Sequence, residues 1–444
     1  MFAVLAPRTY RHLFLAQVVA LVGTGLLTVA LGLLAYELAG EAAGQALGTA
    51  LAIKMVAYIT IAPIVGAFAS RLPRRAFLVA MDIVRAAIAL TLPFVTEIWQ
   101  VYVLIFLLQS ASAAFTPTFQ ATIPDILPDE ETYTKALSLS RLAYDMESLT
   151  SPMIAAALLT VISFNGLFAG TSVGFVASAL LVVTSGLAVQ RATGQQKGSV
   201  FERTIRGIRI YLATPRLVGL LAITLSAAAA GATVIVNTVV IVREELGLSQ
   251  TAYAIALGAY GLGSMLVALS ISSILKRLSD RSALLLASIA LTLLLGVLAA
   301  LSVTMGFRWP VLLIGWFLLG AAYSLSVTPA GRLLRRSSHT DNRPAAFAAQ
   351  FALSHACWLI AYPLAGWIGA TSGQGMALAG MCLLSATGAL LALALWPAND
   401  AERVEHTHED LPPNHPHLRE GHQKGQPIHP FIIDELHTHW PKDS

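Results

Sequence analysis

Charge is scarce in this chain. Of 444 residues only 12% are Asp, Glu, Lys or Arg, while 56% are hydrophobic. A soluble domain carries about a quarter charged residues, so the deficit excludes an ordinary water-facing surface. Cysteine is nearly absent. Cys357 and Cys382 both fall in apolar stretches, which excludes a disulfide framework. No Gly-x-x-x-x-Gly-Lys-Ser/Thr loop occurs, which argues against ATP-driven work, and no enzyme signature stands in its place. The formal charge of +4 does not indicate nucleic acid, because the basic residues sit in short loops. The first apolar stretch is too long for the core of a cleavable signal peptide and lacks a small-residue cleavage site.

What is abundant is uninterrupted apolar sequence. Residues 13–35 and 283–303 contain no Asp, Glu, Lys, Arg or His. Each is long enough to cross ~30 Å of hydrocarbon at ~1.5 Å per residue. The pattern predicts spans at 12–37, 45–69, 76–96, 99–122, 136–162, 166–189, 216–241, 251–275, 282–304, 309–333, 345–370 and 374–396. Lipid leaves backbone groups no partner, so all must be helices. The class is all-α integral membrane, with twelve transmembrane helices.

Basic residues set the orientation. Arg8, Arg11, Arg71, Arg74, Arg75, Lys276, Arg277, Arg281, Arg332, Arg335, Arg336 and Arg343 fall on one side, with the basic segment from Arg191 to Arg216. Only Arg243 and Arg308 fall on the other. The positive-inside rule puts both termini in the cytosol of a plasma-membrane protein. The halves also repeat. Thr116-Pro117 returns as Thr328-Pro329, 212 positions on, and Ser151-Pro152 aligns with Tyr362-Pro363, 211 on. Glu37-Leu38 returns as Glu245-Leu246, 208 on. Such offsets predict two parallel six-helix bundles, 1–189 and 216–397. A cytosolic linker, 190–215, joins them, and a tail, 398–444, follows.

The loop after the second span holds Gly66, Arg71, Arg74 and Arg75 in the pattern Gly-x-x-x-Ser-Arg-x-x-Arg-Arg. It resembles the Gly-x-x-x-Asp-Arg-x-x-Arg-Arg signature of the major facilitator superfamily, with Ser70 in the aspartate's place. Asp82 and Arg85, three apart in the third span, offer a substitute ion pair. The stretch from Phe115 through Pro117, Pro124, Asp125 and Pro128 to Glu130 is similar to a segment of exporters in the drug- and siderophore-efflux branch. The resemblance covers roughly residues 8–397. It implies the twelve-helix transporter fold and leaves the substrate open. The glycine-rich antiporter motif of the fifth span is replaced by Ser151, Pro152 and Ala155.

The tail is polar and lacks an amphipathic period, so it reads as disordered. It holds His406, His408, His415, His417, His422, His429, His437 and His439. Three His-x-His pairs place imidazoles on one side of an extended chain, where neutral rings suit Ni²⁺, Co²⁺ or Zn²⁺. The bland reading is a solvated, pH-sensing tail. A major facilitator body with such a tail resembles the NreB-like nickel-resistance exporters. That resemblance implies efflux of Ni²⁺, with Co²⁺ as a second cargo, by proton antiport; no permanent cofactor and a monomer are expected.

Charges inside spans are expensive and mark function. Arg141 and Asp145, four apart in the fifth span, read as an ion pair near the cytosolic end. Glu147 points about 200° away from Asp145 at ~100° per residue, beside Tyr144 and Ser151, and is the candidate proton or cation site. Asp82 is the second candidate for proton coupling. Lys54, in the middle of the second span, is a candidate partner for a carboxylate across the cavity, with snorkelling as its bland reading. His355 is a candidate ligand, with a hydrogen-bonded core histidine as the alternative. Glu147 and His355 are expected to bracket the path without touching. Gln17, Gln109, Ser112, Asn237, Tyr323 and Ser324 lie on the cavity-lining spans, where helix–helix hydrogen bonding is their bland role. Three functions compete: metal-ion export, export of an organic compound such as a drug or siderophore, and metal sensing on a transporter body.

Overall fold

Caps and breaks decide where the helices start and stop. The computed structural model describes residues 2–39, 43–69, 72–187, 200–340, 342–398, 403–405, 422–423, 426–430, 432–433 and 440. The first half contains α1 (Arg8–Ala39), α2 (Ala43–Ala69), α3 (Arg74–Thr91), α4 (Ile98–Ile126), α5 (Glu130–Leu158) and α6 (Phe164–Thr184). A capping box of Glu97 and Gln100 opens α4. Asp129 opens α5 by accepting from the Thr132 amide.

The second half contains α8 (Pro215–Ala232), α10 (Gln250–Ile274), α11 (Asp280–Met305), α12 (Trp309–Val327), α14 (Arg343–Ser372) and α15 (Gln374–Leu395). Ser249 and Ser279 cap α10 and α11. Prolines at the first turn start α8, α12 and α14, where a missing N–H costs nothing. After Ala232 the helix widens into two π-helical turns, Thr233–Asn237 and Ile241–Glu245, flanking the short α9 (Thr238–Val240).

Ten of the helices among the described residues are long and apolar enough to cross a membrane. The other two are α2, whose described apolar stretch is Ala52–Ala67, and α5, which carries Lys135, Arg141, Asp145 and Glu147. Several boundaries differ from the hydropathy reading. The fifth helix starts at Glu130 rather than 136, because the Asp129 cap, not hydrophobicity, sets its origin. The tenth span breaks at Thr328-Pro329, and a separate short helix, α13 (Ala330–Arg336), carries its arginines. The linker read as 190–215 contains an amphipathic helix, α7 (Val200–Ala213).

Within each half, small residues let backbones touch. A Cβ added to Gly263 of α10 would sit 1.9 Å from the Phe317 carbonyl oxygen of α12, and one on Gly320 of α12 would sit 1.9 Å from that of Tyr260. The halves meet where α2 packs on α14 and α5 packs on α10. These two contacts exchange under the internal repeat, which maps the second helix onto the eighth and the fifth onto the eleventh.

Within the tail, read from the sequence as disordered, the described residues include three short strands. Strands β1 (Arg403–Glu405), β2 (His422–Gln423) and β3 (Gln426–Pro430) pair antiparallel in the order β1-β3-β2. Beyond them Ile433 is buried against Ile210 of α7, and the Trp440 ring lies 5.1 Å from the Arg216 guanidinium. His406, His408, His415, His417, His437 and His439 lie outside the described residues, and for His422 and His429 only the backbone is described.

Candidate functional site

Three polar assemblies lie along the seam between the halves. The first joins α5 to α10 and α12. Arg141 donates to Asp145 one turn on, and its Nε donates to Ser264 Oγ at 3.1 Å. Ser264 Oγ in turn donates to Asp145 Oδ2 at 2.6 Å, closing a ring of three hydrogen bonds across the halves. The guanidinium lies 4.9 Å from the Tyr323 ring centroid. The pair read as lying near one end of its helix is in the middle of α5, because that helix begins six residues before the apolar run. Asp145 is buried, so its charge is compensated almost entirely by protein.

The second assembly surrounds Glu147 and Lys54. Glu147 is half-buried on α5, and Ser151 Oγ donates to its Oε1 at 3.4 Å. Gly25 of α1 makes room, since a Cβ there would come within 2.8 Å of that carboxylate oxygen. Lys54 of α2 is within electrostatic reach of both Glu147 and His355. Its Nζ lies 5.5 Å from the centre of the Tyr58 ring. Tyr58 donates to Gln109 Oε1 at 2.7 Å and meets His355 edge-on at 4.6 Å. His355 Nδ1 lies 2.7 Å from the Phe351 carbonyl oxygen. A carbonyl only accepts, so Nδ1 carries the proton and Nε2 keeps its lone pair.

Around these charges runs an arc of half-buried aromatic side chains. Tyr58, Phe351 and His355 pack with ring centres 4.3 to 4.9 Å apart. Trp358 stands 6.4 Å from Tyr323 and 5.0 Å from Tyr362, and Tyr260 stands 5.9 Å from Tyr323.

The third assembly closes the end of the bundle that holds Arg74 and the end of α12. Asp125, at the end of α4, accepts from both Arg74 of α3 and Arg343 of α14. Glu130 pairs with Arg332, and Asp280 with Arg332 and Arg336. Lys276 reaches Glu131 at 2.9 Å, and Arg335 donates to the Pro128 carbonyl. Gly66 supports the closure, since its Cβ would lie 2.5 Å from that of Ala348 on α14. Arg75 is half-buried one residue beyond Arg74, and Arg71 lies outside the described residues.

Asp82 and Arg85 form the expected ion pair, but away from the seam. Both are buried within the first half, Ser178 donates to Asp82 at 2.8 Å, and Arg85 lies between Phe115 and Phe175 at 4.2 and 4.5 Å. Asp82, read as a coupling candidate, is therefore held by Arg85 and Ser178 inside α3, α4 and α6. Among the described residues no group of three or more His, Cys, Asp or Glu side chains is placed to hold a metal ion. His355 accordingly sits among aromatic rings. Asn237 is bound to Gln374 at 2.6 Å, and Gln17 accepts from Ser140 at 3.0 Å.

Ser264, Tyr58, Asp125, Glu130 and Asp280 were not singled out by sequence as site residues. For Asp125 and Glu130 a signal existed, in the segment from Phe115 to Glu130. For Ser264 and Tyr58 none did.

The family model of the Major Facilitator Superfamily matches the chain twice, over residues 13–240 and 219–432. Macrolide efflux protein A of Enterococcus faecalis is 26% identical over 131 residues, 28% of this chain and 40% of that protein. An uncharacterized MFS-type transporter of Bacillus subtilis, YfiS, is 25% identical over 162 residues, 36% of this chain and 39% of its own length. The chain thus aligns with well under half the length of these relatives. Among solved structures, a bacterial homologue of the iron transporter ferroportin in an outward-facing state superposes with a TM-score of 0.73 at 14% identity, over 87% of this chain and 99% of that one. The human organic anion transporter TETRAN gives 0.68 at 13% identity, over 87% and 99%.

Proposed function

The chain belongs to the major facilitator superfamily, and on that premise we propose that it exports an amphipathic organic compound in exchange for protons. The arc of half-buried aromatic rings at the seam carries this reading. Aromatic side chains around one carboxylate and one ammonium group suit a bulky, partly apolar or cationic molecule, through stacking and cation–π contact. Local similarity to macrolide efflux proteins supports the same substrate class. Glu147 is the proton-carrying group, and Lys54 is the neighbour whose charge responds to it. The basic end faces the cytosol, so the ion-paired closure seals the cytosolic side.

Export of Ni²⁺, the reading favoured by the histidine-rich tail, rests on the tail's composition and on the resemblance to NreB-like exporters. The tail's imidazoles are outside the described side chains, and the seam offers rings where a metal path would offer clustered ligands. Growth of a sensitive host expressing the full chain separates the two. The expected result is protection against macrolides and lipophilic cationic dyes, with unchanged sensitivity to Ni²⁺, Co²⁺ and Zn²⁺. Protection against the metals without the organic compounds would overturn the proposal.

A further inference from the structure

The ion-paired closure borders a half-open pocket of about 220 Å³ lined by Glu130, Arg332, Arg335, Arg336 and Arg343. At ~30 Å³ per water it has room for roughly seven waters. Its charges do not balance. Arg74, Arg332, Arg335, Arg336 and Arg343 contribute five positive charges, while Asp125, Glu130 and Asp280 supply three negative ones. Asp129 caps α5 through Thr132 and lies within electrostatic reach of Arg335, so it brings the negative charges to four and leaves a surplus of one positive charge.

The surplus is felt locally. Arg335 donates to the Pro128 carbonyl and lies 5.6 Å from the Tyr133 ring. Arg343 is repelled by Arg335 and Arg74, and its Nε is buried with no hydrogen-bond partner. Guanidinium groups crowded at a concave site, with donors unspent, match the geometry of a phosphate. An anion there would remove repulsion that the protein's own carboxylates leave in place.

We propose that this pocket binds a phosphate-type anion, either inorganic phosphate or the phosphate of an anionic lipid headgroup. Glu130 on its wall opposes the anion, which limits affinity and gives the proposal a two-way test. The site lies at the closure and is independent of which substrate crosses the seam.

The full-length protein in nanodiscs of phosphatidylcholine is titrated with inorganic phosphate against chloride at matched ionic strength. Thermal midpoint and calorimetric affinity are the readouts. A second set of nanodiscs contains phosphatidic acid and no added phosphate. Saturable stabilisation in either arm is expected, and the arm that responds identifies the source. Arg335→Gln is expected to weaken binding about tenfold, the loss of one charge-assisted hydrogen bond. Glu130→Gln is expected to strengthen it, a gain that misfolding does not imitate. No stabilisation beyond chloride in both arms, or equal affinity in wild type and both variants, would overturn the site.

Discussion

At the residue scale, two carboxylates on one helix have opposite surroundings. Asp145 is locked by Arg141 and Ser264, whereas Glu147, two residues on, has a 3.4 Å contact from Ser151 and a lysine within electrostatic reach. A weakly held carboxylate is free to exchange a proton, and a locked one is not. Glu147→Gln is therefore expected to reduce pH-gradient-driven uptake into inverted vesicles, the equivalent of efflux from the cell, to the level of empty vesicles, while equilibrium binding of the transported dye survives. Retained gradient-driven uptake would remove Glu147 from the coupling path. Asp145→Asn leaves a buried guanidinium uncompensated and is expected to destabilise the protein by about 3–5 kcal/mol. Ser264→Ala removes a neutral donor and costs about 1 kcal/mol. Chemical unfolding in detergent measures both, and equal losses would show that the ring is not organised around the Arg141 charge.

At the scale of elements, helix ends and helix contacts obey different rules. Gly263 and Gly320 seat α10 and α12 backbone to backbone, so Gly320→Ala forces the helices apart and is expected to cost about 1–3 kcal/mol. An unchanged thermal midpoint would mean the pair tolerates separation. The start of α5 depends on a charge. The Thr132 hydroxyl and amide hold the Asp129 carboxyl below the usual carboxylate range. A depressed folded value makes the cap fully effective above the ordinary carboxylate range and lost as pH falls through the lowered value. The protection factor of the Thr132 amide, corrected for the intrinsic pH dependence of exchange, should fall in acid for the wild type and stay flat for Asp129→Asn, which caps without titrating.

These cases also show what was legible in advance. Apolar windows gave the helices, and Pro117/Pro329 and Pro152/Pro363 gave the repeat, because lipid and internal symmetry both act on local sequence. The tenth helix was overrun because hydropathy does not register the turn at Thr328-Pro329 that separates α12 from the arginine-bearing α13. The closure was not legible. Arg343 and Asp125 are 218 positions apart, and one arginine looks like another until the fold chooses its partner. Orientation statistics used the arginines only as a sum. Glu147 and Lys54 stood out in the sequence because charge in a span is conspicuous, whereas Tyr58 and Ser264 resemble every other polar residue in a helix.

At the scale of the whole molecule, the halves touch through α2–α14 and α5–α10, and among the described residues the ion pairs between them fasten one end. Asp125 holds one arginine from each half, so Asp125→Asn releases both together. A cysteine placed at Ala348, buried in the closed form, is expected to label several-fold faster with a membrane-impermeant thiol reagent in that variant. Unchanged labelling would show that Gly66 and Ala348 hold the end shut by packing alone. Added salt should loosen the exposed Lys276–Glu131 link and leave the Arg343–Asp125 pair largely intact, because screening acts on solvated charges.

The connecting helix α7 gives this closure a mechanical partner. At Gly207 it rests against the Ala345 carbonyl of α14, with an added Cβ only 2.6 Å away, and it runs through Thr214 directly into α8. It is thus a strut wedged under one half and continuous with the other end of that same half, rather than a slack cord. When the second half tilts, the strut travels with it and slides past α2. A displacement of the second half then shears the α7–α2 contact together with α2–α14 and α5–α10, so the connection adds a third surface between the bundles.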